Sequence, residues 1–229
     1  MEIEYTPEEY LYNIIKYLDN KDGKNLMICC KSHYANMKIY YRNREFEIKE
    51  LEKIPEEGKR EITRVRGVRE IKGIEKYKKL KKIEFDWEYN KELEGIPESV
   101  EEIELGFKFN KTIEELPEKI KKIKLGLTYK RRITKLPREL EILKLGYLYN
   151  EPLEIRGLKK LKKITVRGFF NQSLEGLPES VEEIKLSEHY RKKIKKLPKK
   201  IKKIKLHEGQ EKLIEERERR RIKIEYIKY

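Results

Sequence analysis

The sequence of 229 residues predicts an α+β fold: a solenoid of stacked coils with a parallel β-sheet of about seven to nine strands, preceded by a small helical module. A block of about twenty residues recurs six times, and a fixed period of this length is typical of solenoids. Each block contains a short stretch in which apolar and polar residues alternate, as in a half-buried strand. Residues 6–35 break this period and space their apolar residues as helices do.

Residues 6–35 are predicted to form two short amphipathic helices. Thr6 and Glu9 form a capping box at the start of the first helix, and Pro7 occupies its first position. The apolar positions of the two helices include Leu11, Ile14, Ile15, Leu18, Leu26 and Met27. Two helices of this size cannot build a core alone, so we expect them to dock on the solenoid, on another protein, or on both.

The pattern divides the chain into four segments. They are a helical module at 1–37, a linker with degenerate first coils at 38–79, the repeat solenoid at 80–206 and a C-terminal cap at 207–229. Ile62–Gly67 echoes Ile164–Gly168, which indicates that one or two degenerate coils begin near residue 45. The cap is predicted to be a charged helix over Glu208–Arg221 and a last strand over Ile222–Tyr226, which together cover the open sheet edge.

Seven strands are predicted within the solenoid. Their inward pairs are Ile83/Phe85, Ile103/Leu105, Ile123/Leu125, Leu143/Leu145, Ile164/Val166, Ile184/Leu186 and Ile204/Leu206. The outward strand positions are predicted to form a concave face that binds a protein substrate, through Glu84, Glu102, Glu104, Lys122, Lys124, Lys144, Thr165, Lys185, Lys203 and Lys205.

The rest of each block is an aromatic residue, an asparagine in four blocks, an aliphatic residue and, in most blocks, a closing Leu-Pro or Ile-Pro. Asparagine amides can satisfy backbone groups of the turn, so a structural ladder is predicted at Asn90, Asn110, Asn150 and Asn171. Lys130 and Arg191 replace the asparagine in the other two blocks. Gly106, Gly126 and Gly146 follow the strands, where they allow a positive φ or a close backbone approach.

The block resembles the FNIP repeat, a leucine-rich-repeat relative named for its Phe-Asn-x-x-Ile core. Phe170, Asn171, Leu174 and Leu177-Pro178 match closely, and the resemblance covers roughly residues 80–206. It implies a leucine-rich-repeat-like solenoid, and a generic leucine-rich solenoid would have nearly the same architecture.

The helical module resembles an F-box. The matching elements are Pro7 and Glu9, Ile14 with Ile15, Tyr17-Leu18-Asp19, Leu26 with Met27, and Cys30-Lys31. Thr6 and Gly23 depart from the pattern, and a helical cap on the first coil is the alternative. F-boxes ahead of FNIP repeats are a known pairing, especially in large DNA viruses. The resemblance implies that Pro7, Leu11, Ile14, Ile15, Leu18, Leu26 and Met27 bind a Skp-type adaptor of a cullin–RING ubiquitin ligase, while the solenoid holds the substrate.

The formal net charge of +15 favours an alternative function, a basic scaffold that binds nucleic acid or another anionic partner. The basic residues concentrate at 191–206, where ten Lys or Arg occur without an acid. This stretch lacks aromatic residues for stacking, so we expect weak, sequence-blind binding that is largely lost at physiological salt.

No residue pattern predicts catalysis, a metal site or a cofactor, because His33, His189 and His207 are scattered along the chain. Cys29 and Cys30 are the only cysteines, which favours a reducing compartment and an intracellular protein. No apolar stretch is long enough to span a membrane, and the first nine residues lack the features of a signal peptide. We expect a monomer apart from its partners.

Overall fold

The computed structural model describes Lys38 and residues 41–42, 44–54 and 56–227. These residues form one parallel sheet of ten strands, in which each strand pairs with the next along the chain. The strands are β1 (Glu45–Glu47), β2 (Arg64–Val68), β3 (Lys82–Phe85), β4 (Glu102–Glu104), β5 (Lys122–Lys124), β6 (Ile142–Lys144), β7 (Lys163–Thr165), β8 (Glu183–Lys185), β9 (Lys203–Leu206) and β10 (Lys223–Tyr226). The predicted solenoid is confirmed.

Ten strands exceed the predicted seven to nine because both ends of the solenoid contribute. β1 and β2 are the degenerate first coils, and they pair with β3 in the same sheet. A bulge in β2 between Val65 and Val68 contains Gly67, whose φ of 68° suits glycine. Two short helices follow β1: a 3-10 helix over Ile48–Lys53 and α1 over Glu56–Lys59.

The core is a series of columns, each built from the same repeat position in successive coils. The middle residue of every strand from β3 to β9 is fully buried, as the alternating pattern predicts. A second column is a stack of aromatic rings whose neighbouring centroids lie 6.0–6.4 Å apart. We call this column the aromatic spine: Tyr89, Phe109, Tyr129, Tyr149, Phe170 and Tyr190. Burial of these rings supplies much of the apolar contact between coils.

The glycines after β4, β5 and β6 are required by a close backbone approach. A Cβ atom on Gly126 would lie 1.9 Å from the carbonyl oxygen of Gly106, and Gly146 meets Gly126 in the same way. None of these glycines has a positive φ. Of the two roles that the sequence left open for them, the structure therefore shows the close approach.

The single helix predicted over Glu208–Arg221 is wrong. A 3-10 helix covers Glu211–Leu213 and α2 covers Glu216–Arg219, with Ile214 between them bridging Ile194 in parallel. The segment breaks here because it is another coil of the solenoid, with Ile214 at the buried aliphatic position. The predicted last strand over Ile222–Tyr226 corresponds to β10, which covers the edge of β9.

Gln210 occupies the place of the aromatic residue in this last coil. Its side-chain Nε2 donates to the carbonyl oxygens of Ser187 and Tyr190, at 2.7 and 3.1 Å, and its Oε1 accepts from the backbone N–H of His207. Gln210 therefore ends the aromatic spine with a buried polar side chain whose hydrogen bonds are satisfied.

Candidate functional site

The adaptor-binding residues predicted in the helical module lie outside the described residues. They are Pro7, Leu11, Ile14, Ile15, Leu18, Leu26 and Met27. The structure therefore bears on the other predicted site, the outward positions of the solenoid sheet.

The outward side chains of β3–β9 form two columns on the solvent side of the sheet, which we call the strand face. Register places Glu104, Lys124 and Lys144 on neighbouring strands of one column, followed by Thr165 and Lys185. Nine of the ten predicted binding residues are half-buried, with their polar ends accessible. Thr165 is the exception: it is only 5% exposed, because its short side chain lies between the longer lysines in register, and it is too buried to bind a substrate directly.

The first half of the strand face neutralises its own charge. Glu104 accepts a hydrogen bond from Lys124 Nζ at 2.8 Å and lies 3.8 and 3.9 Å from the ammonium groups of Lys82 and Lys122. Burial raises the pKa of Glu104, but the hydrogen bond from Lys124 and the three positive charges outweigh it and lower that pKa overall. Glu104 is thus the centre of an ion-pair network across three strands.

The far end of the strand face is neutralised in the same way. Glu183 lies 2.9 Å from Lys163 and 3.5 Å from Lys203, and Glu225 of β10 lies within 3.6 Å of Lys203 and Lys205. A hydrogen bond from Lys223, opposed in part by burial and reinforced by neighbouring lysines, lowers the pKa of Glu225 to about 2. The lysines of β9 are therefore paired, although they belong to the basic stretch 191–206.

The middle of the strand face is different, because it carries cations without counter-charges. Among the described residues, no carboxylate lies within 4.0 Å of the charged groups of Lys144, Arg167 or Lys185. Burial and the positive charges of Lys122 and Arg167 lower the pKa of Lys144. We call these three residues, on three successive coils, the central cations.

A row of exposed or half-buried side chains, five of them apolar and one a histidine, lies in the turns that follow β3–β8. We call it the aromatic ridge: Trp87, Phe107, Leu127, Tyr147, Phe169 and His189. Trp87 stacks on Phe107 with ring centroids 4.1 Å apart, and Phe169 contacts Tyr147 at 5.2 Å and His189 at 5.3 Å. Trp87 is nevertheless 59% exposed and Phe169 51% exposed. Monomeric proteins rarely expose a continuous apolar row of this kind without a partner.

The backbone holds the ridge in register from coil to coil. The carbonyl oxygen of Trp87 accepts from the N–H of Lys108 at 3.0 Å, and Phe107, Leu127 and Tyr147 accept in the same way from the following coil. This ridge was not predicted from the sequence. Its signal was an apolar residue four or five positions after the buried mid-strand residues of β3–β7, as from Ile83 to Trp87.

The asparagine residues have a structural rather than a binding role. Asn90 Oδ1 accepts from the backbone N–H of Asn110, and Asn110 Oδ1 accepts from that of Lys130. Asn150 and Asn171 repeat the arrangement further along. The partners lie on the next coil, not within the turn itself, so these bonds join coils together.

The described part of the chain offers neither a metal site nor a membrane-spanning helix. No group of three or more His, Cys, Asp or Glu side chains there could hold a metal ion. No helix in the described ranges has the length and apolar character needed to cross a bilayer.

Comparisons with known proteins agree with the repeat architecture. Residues 170–209 match the FNIP Repeat family model. The chain is a repeat protein with a leucine-rich-repeat-like solenoid. A structural neighbour, described as the crystal structure of CroV588, a novel circular LRR protein, superposes with a TM-score of 0.56 at 20% identity. The match covers 76% of this chain and 31% of CroV588, so the chain spans about a third of that neighbour. A comparison with curated proteins found no match.

Proposed function

We propose that this repeat protein recruits substrates to a cullin–RING ubiquitin ligase. In this proposal, residues 1–37 bind a Skp-type adaptor, and the solenoid binds a protein substrate through the strand face and the aromatic ridge. A repeat solenoid is suited to protein–protein interaction because its stacked coils present one long, regular surface.

The observation that carries the substrate half is the pairing of the strand face with the aromatic ridge along the same coils. Rings such as Trp87 and Phe169 offer large apolar contact area, and aromatic residues are enriched in protein interfaces. The central cations add directional polar contacts beside them. The adaptor half is supported by the F-box resemblance, which extends from Pro7 to Lys31.

The charge distribution supports a protein partner over a nucleic acid. Lys203 and Lys205 of the basic stretch are paired with Glu183 or Glu225, so their charges are partly neutralised before any phosphate arrives.

The proposal is tested by affinity purification of the tagged full chain from eukaryotic cells, followed by mass spectrometry. We expect the wild type to recover a Skp-type adaptor, a cullin and a substrate. Ile14→Asp should lose the adaptor and the cullin, because a charge in the apolar stripe of the predicted first helix has no partner in the interface. Lys16→Asp, a change at a polar position of the same predicted helix, is the matched control and should retain both.

Substrate recovery separates the two halves of the proposal. Ile14→Asp should still recover the substrate, because the strand face is unchanged. Recovery of the adaptor by Ile14→Asp at the wild-type level would contradict the F-box role. A large loss of melting temperature in Ile14→Asp would instead support a helical cap that shields the first coil.

A further inference from the structure

We infer that the aromatic ridge and the central cations together bind an extended protein segment that combines acidic residues with aromatic or aliphatic ones. The inference rests on the proposed substrate-binding role and names the chemistry of the segment that is bound. Three coils carry both elements within four residues of each other along the chain: Tyr147 with Lys144, Phe169 with Arg167, and His189 with Lys185.

The ridge rings are not needed to fill the core. The coil of Phe169 already buries Phe170 completely in the aromatic spine, while Phe169 itself is 51% exposed. The same holds two coils earlier, where Tyr129 fills the spine and Leu127 is 37% exposed. The turn after the strand of each of these coils therefore supplies two apolar side chains, and only the one in the aromatic spine is buried. The second gains its apolar burial only when a partner covers it.

The central cations select the charge of the partner. Elsewhere on the strand face, carboxylates of the same sheet form ion pairs with the lysines. Glu104 pairs with Lys124, and Glu183 pairs with Lys163. Burial and the positive charges of Lys122 and Arg167 lower the pKa of Lys144, and Glu104 offsets them only in part. A partner carboxylate would relieve that repulsion and would form charge-assisted hydrogen bonds with Lys144, Arg167 or Lys185. An acidic segment thus complements the part of the face where no carboxylate of the described residues pairs with these cations.

The stacking of the rings argues against a single-stranded nucleic acid as the occupant. Bases bind to such rows by stacking on exposed ring faces. Here Trp87 covers a face of Phe107, and Phe169 covers a face of His189, with centroids too close for a base to enter between them.

The spacing of the coils sets the length of the segment. Stacked parallel strands lie about 4.8 Å apart, so the three cationic coils span roughly 10 Å. Three or four extended residues cover that distance at about 3.3 Å per residue. The whole ridge from Trp87 to His189 spans roughly 24 Å, which about seven extended residues match.

The test begins with a displayed random peptide library selected on the purified full chain. We expect enriched peptides to contain Asp or Glu together with Phe, Leu, Ile or Trp. The best peptide is then synthesised, and its affinity is measured by fluorescence anisotropy. The double variant Lys144→Glu with Lys185→Glu should weaken its binding by at least about tenfold, and so should Phe169→Ser.

Matched controls make the result specific. The double variant Lys119→Glu with Lys135→Glu makes the same change of charge at exposed positions of the return legs, away from the strand face, and should leave the affinity unchanged. A peptide with Lys in place of its acids should bind the Lys144→Glu, Lys185→Glu variant better than it binds the wild type. Melting curves of all variants confirm that they remain folded, and Phe169→Ser tests the ridge independently if the charge variant unfolds.

Three results would overturn the inference: no enriched peptides, enriched peptides that are basic, or binding that the return-leg control weakens as much as the strand-face variant. Tighter binding of a single-stranded oligouridine than of the best peptide would also overturn it. Adaptor binding, measured on the same variants, separates this inference from the proposed function. If the peptides show no selectivity while adaptor binding is intact, only the inference about the bound segment is contradicted. If adaptor binding is absent, only the ligase role is contradicted.

Discussion

At the scale of the residue, each repeat asparagine acts between coils. Asn110 receives one hydrogen bond at its side-chain Oδ1, from Lys130 N–H, and gives one from its own backbone N–H to Asn90. Lys130 accepts no such bond, because its long side chain has no acceptor atom. The ladder is therefore broken at Lys130 and at Arg191, in agreement with the degenerate blocks of the sequence.

Asn110→Ala is expected to destabilise the protein by about 0.5–1.5 kcal/mol, the usual net value of one hydrogen bond. The site is half-exposed, so water can partly replace the lost acceptor. Lys130→Ala is the control and should cost much less, because the backbone N–H of residue 130 still reaches Asn110. Urea unfolding measures both. Equal losses would show that the side-chain acceptor does not matter.

The ionisation of Glu104 on the strand face makes the free energy of unfolding depend on pH in the acid range. Its folded-state pKa is lowered, so its contribution is present above the unfolded pKa and is lost as the pH falls through the folded value. Glu104→Gln should cost about 1–2 kcal/mol near neutral pH, between the values for exposed and buried pairs. The difference in unfolding free energy between Glu104→Gln and the wild type should disappear under acid conditions, where Glu104 is protonated.

Urea unfolding at several pH values checks this prediction. Glu94→Gln removes an exposed carboxylate that has no ion pair among the described contacts, and it should stay near the wild type throughout. A gap between wild type and Glu104→Gln that does not change with pH would contradict the assigned network.

At the scale of the element, the turn after each of the strands β3–β8 contributes one side chain to the buried aromatic spine and another to the exposed aromatic ridge. Phe170 stacks between Tyr149 and Tyr190 in the spine, and its neighbour Phe169 points to the ridge. The twenty-residue period and the strand alternation were enough to predict the spine position and the buried strand residues. They could not assign the ridge, because exposure depends on the direction of the turn. In the coils of Phe169 and His189 the ridge residue also lies one position later, five rather than four residues after the buried mid-strand residue.

Phe170→Ala should destabilise the protein by about 3–5 kcal/mol, because it leaves a cavity in a continuous stack. Phe169→Ala should cost no more than about 1 kcal/mol, since it removes only contacts between exposed rings. The two residues are adjacent and chemically identical, so backbone effects cancel in the comparison. Thermal and urea unfolding provide the values. Similar losses at both positions would show that the ridge is part of the core.

The buried tyrosines of the aromatic spine predict that the folded protein loses stability at alkaline pH. Burial raises the pKa of Tyr89 and Tyr129 to about 12, above the ordinary value of about 10. Their contribution to stability is therefore complete below about pH 10 and is lost as the pH rises towards 12. Urea midpoints should fall between about pH 10 and pH 12, and less steeply in Tyr129→Phe. An unchanged slope in Tyr129→Phe would contradict the burial of that hydroxyl.

At the scale of the whole molecule, the charge of the solenoid is arranged by column. Ion pairs between equivalent positions of successive coils recur along the solenoid, as between Lys121 and Glu101 or Lys202 and Glu182. Each exposed pair contributes little by itself. Among the described residues, none of these ion pairs includes one of the central cations. The repeat predicted where charges lie, but the pairing depends on which strands are neighbours.

The part of the chain before the solenoid gives the molecule its proposed second function. Under the proposed function, residues 1–37 bind the adaptor and the strand face binds the substrate. The two surfaces should therefore respond to different substitutions. Ridge and strand-face changes should alter substrate binding alone, and changes in the apolar stripe of the predicted helices should alter adaptor binding alone.

The central claim, that this chain joins a ligase adaptor to a protein substrate, is tested most directly by calorimetric titration of a purified Skp-type adaptor into the purified full chain. We predict saturable one-to-one binding with a Kd of about 1 μM or tighter, retained in Phe169→Ser and lost in Ile14→Asp. Absence of saturable binding to a wild-type chain that shows its normal melting transition would contradict the claim.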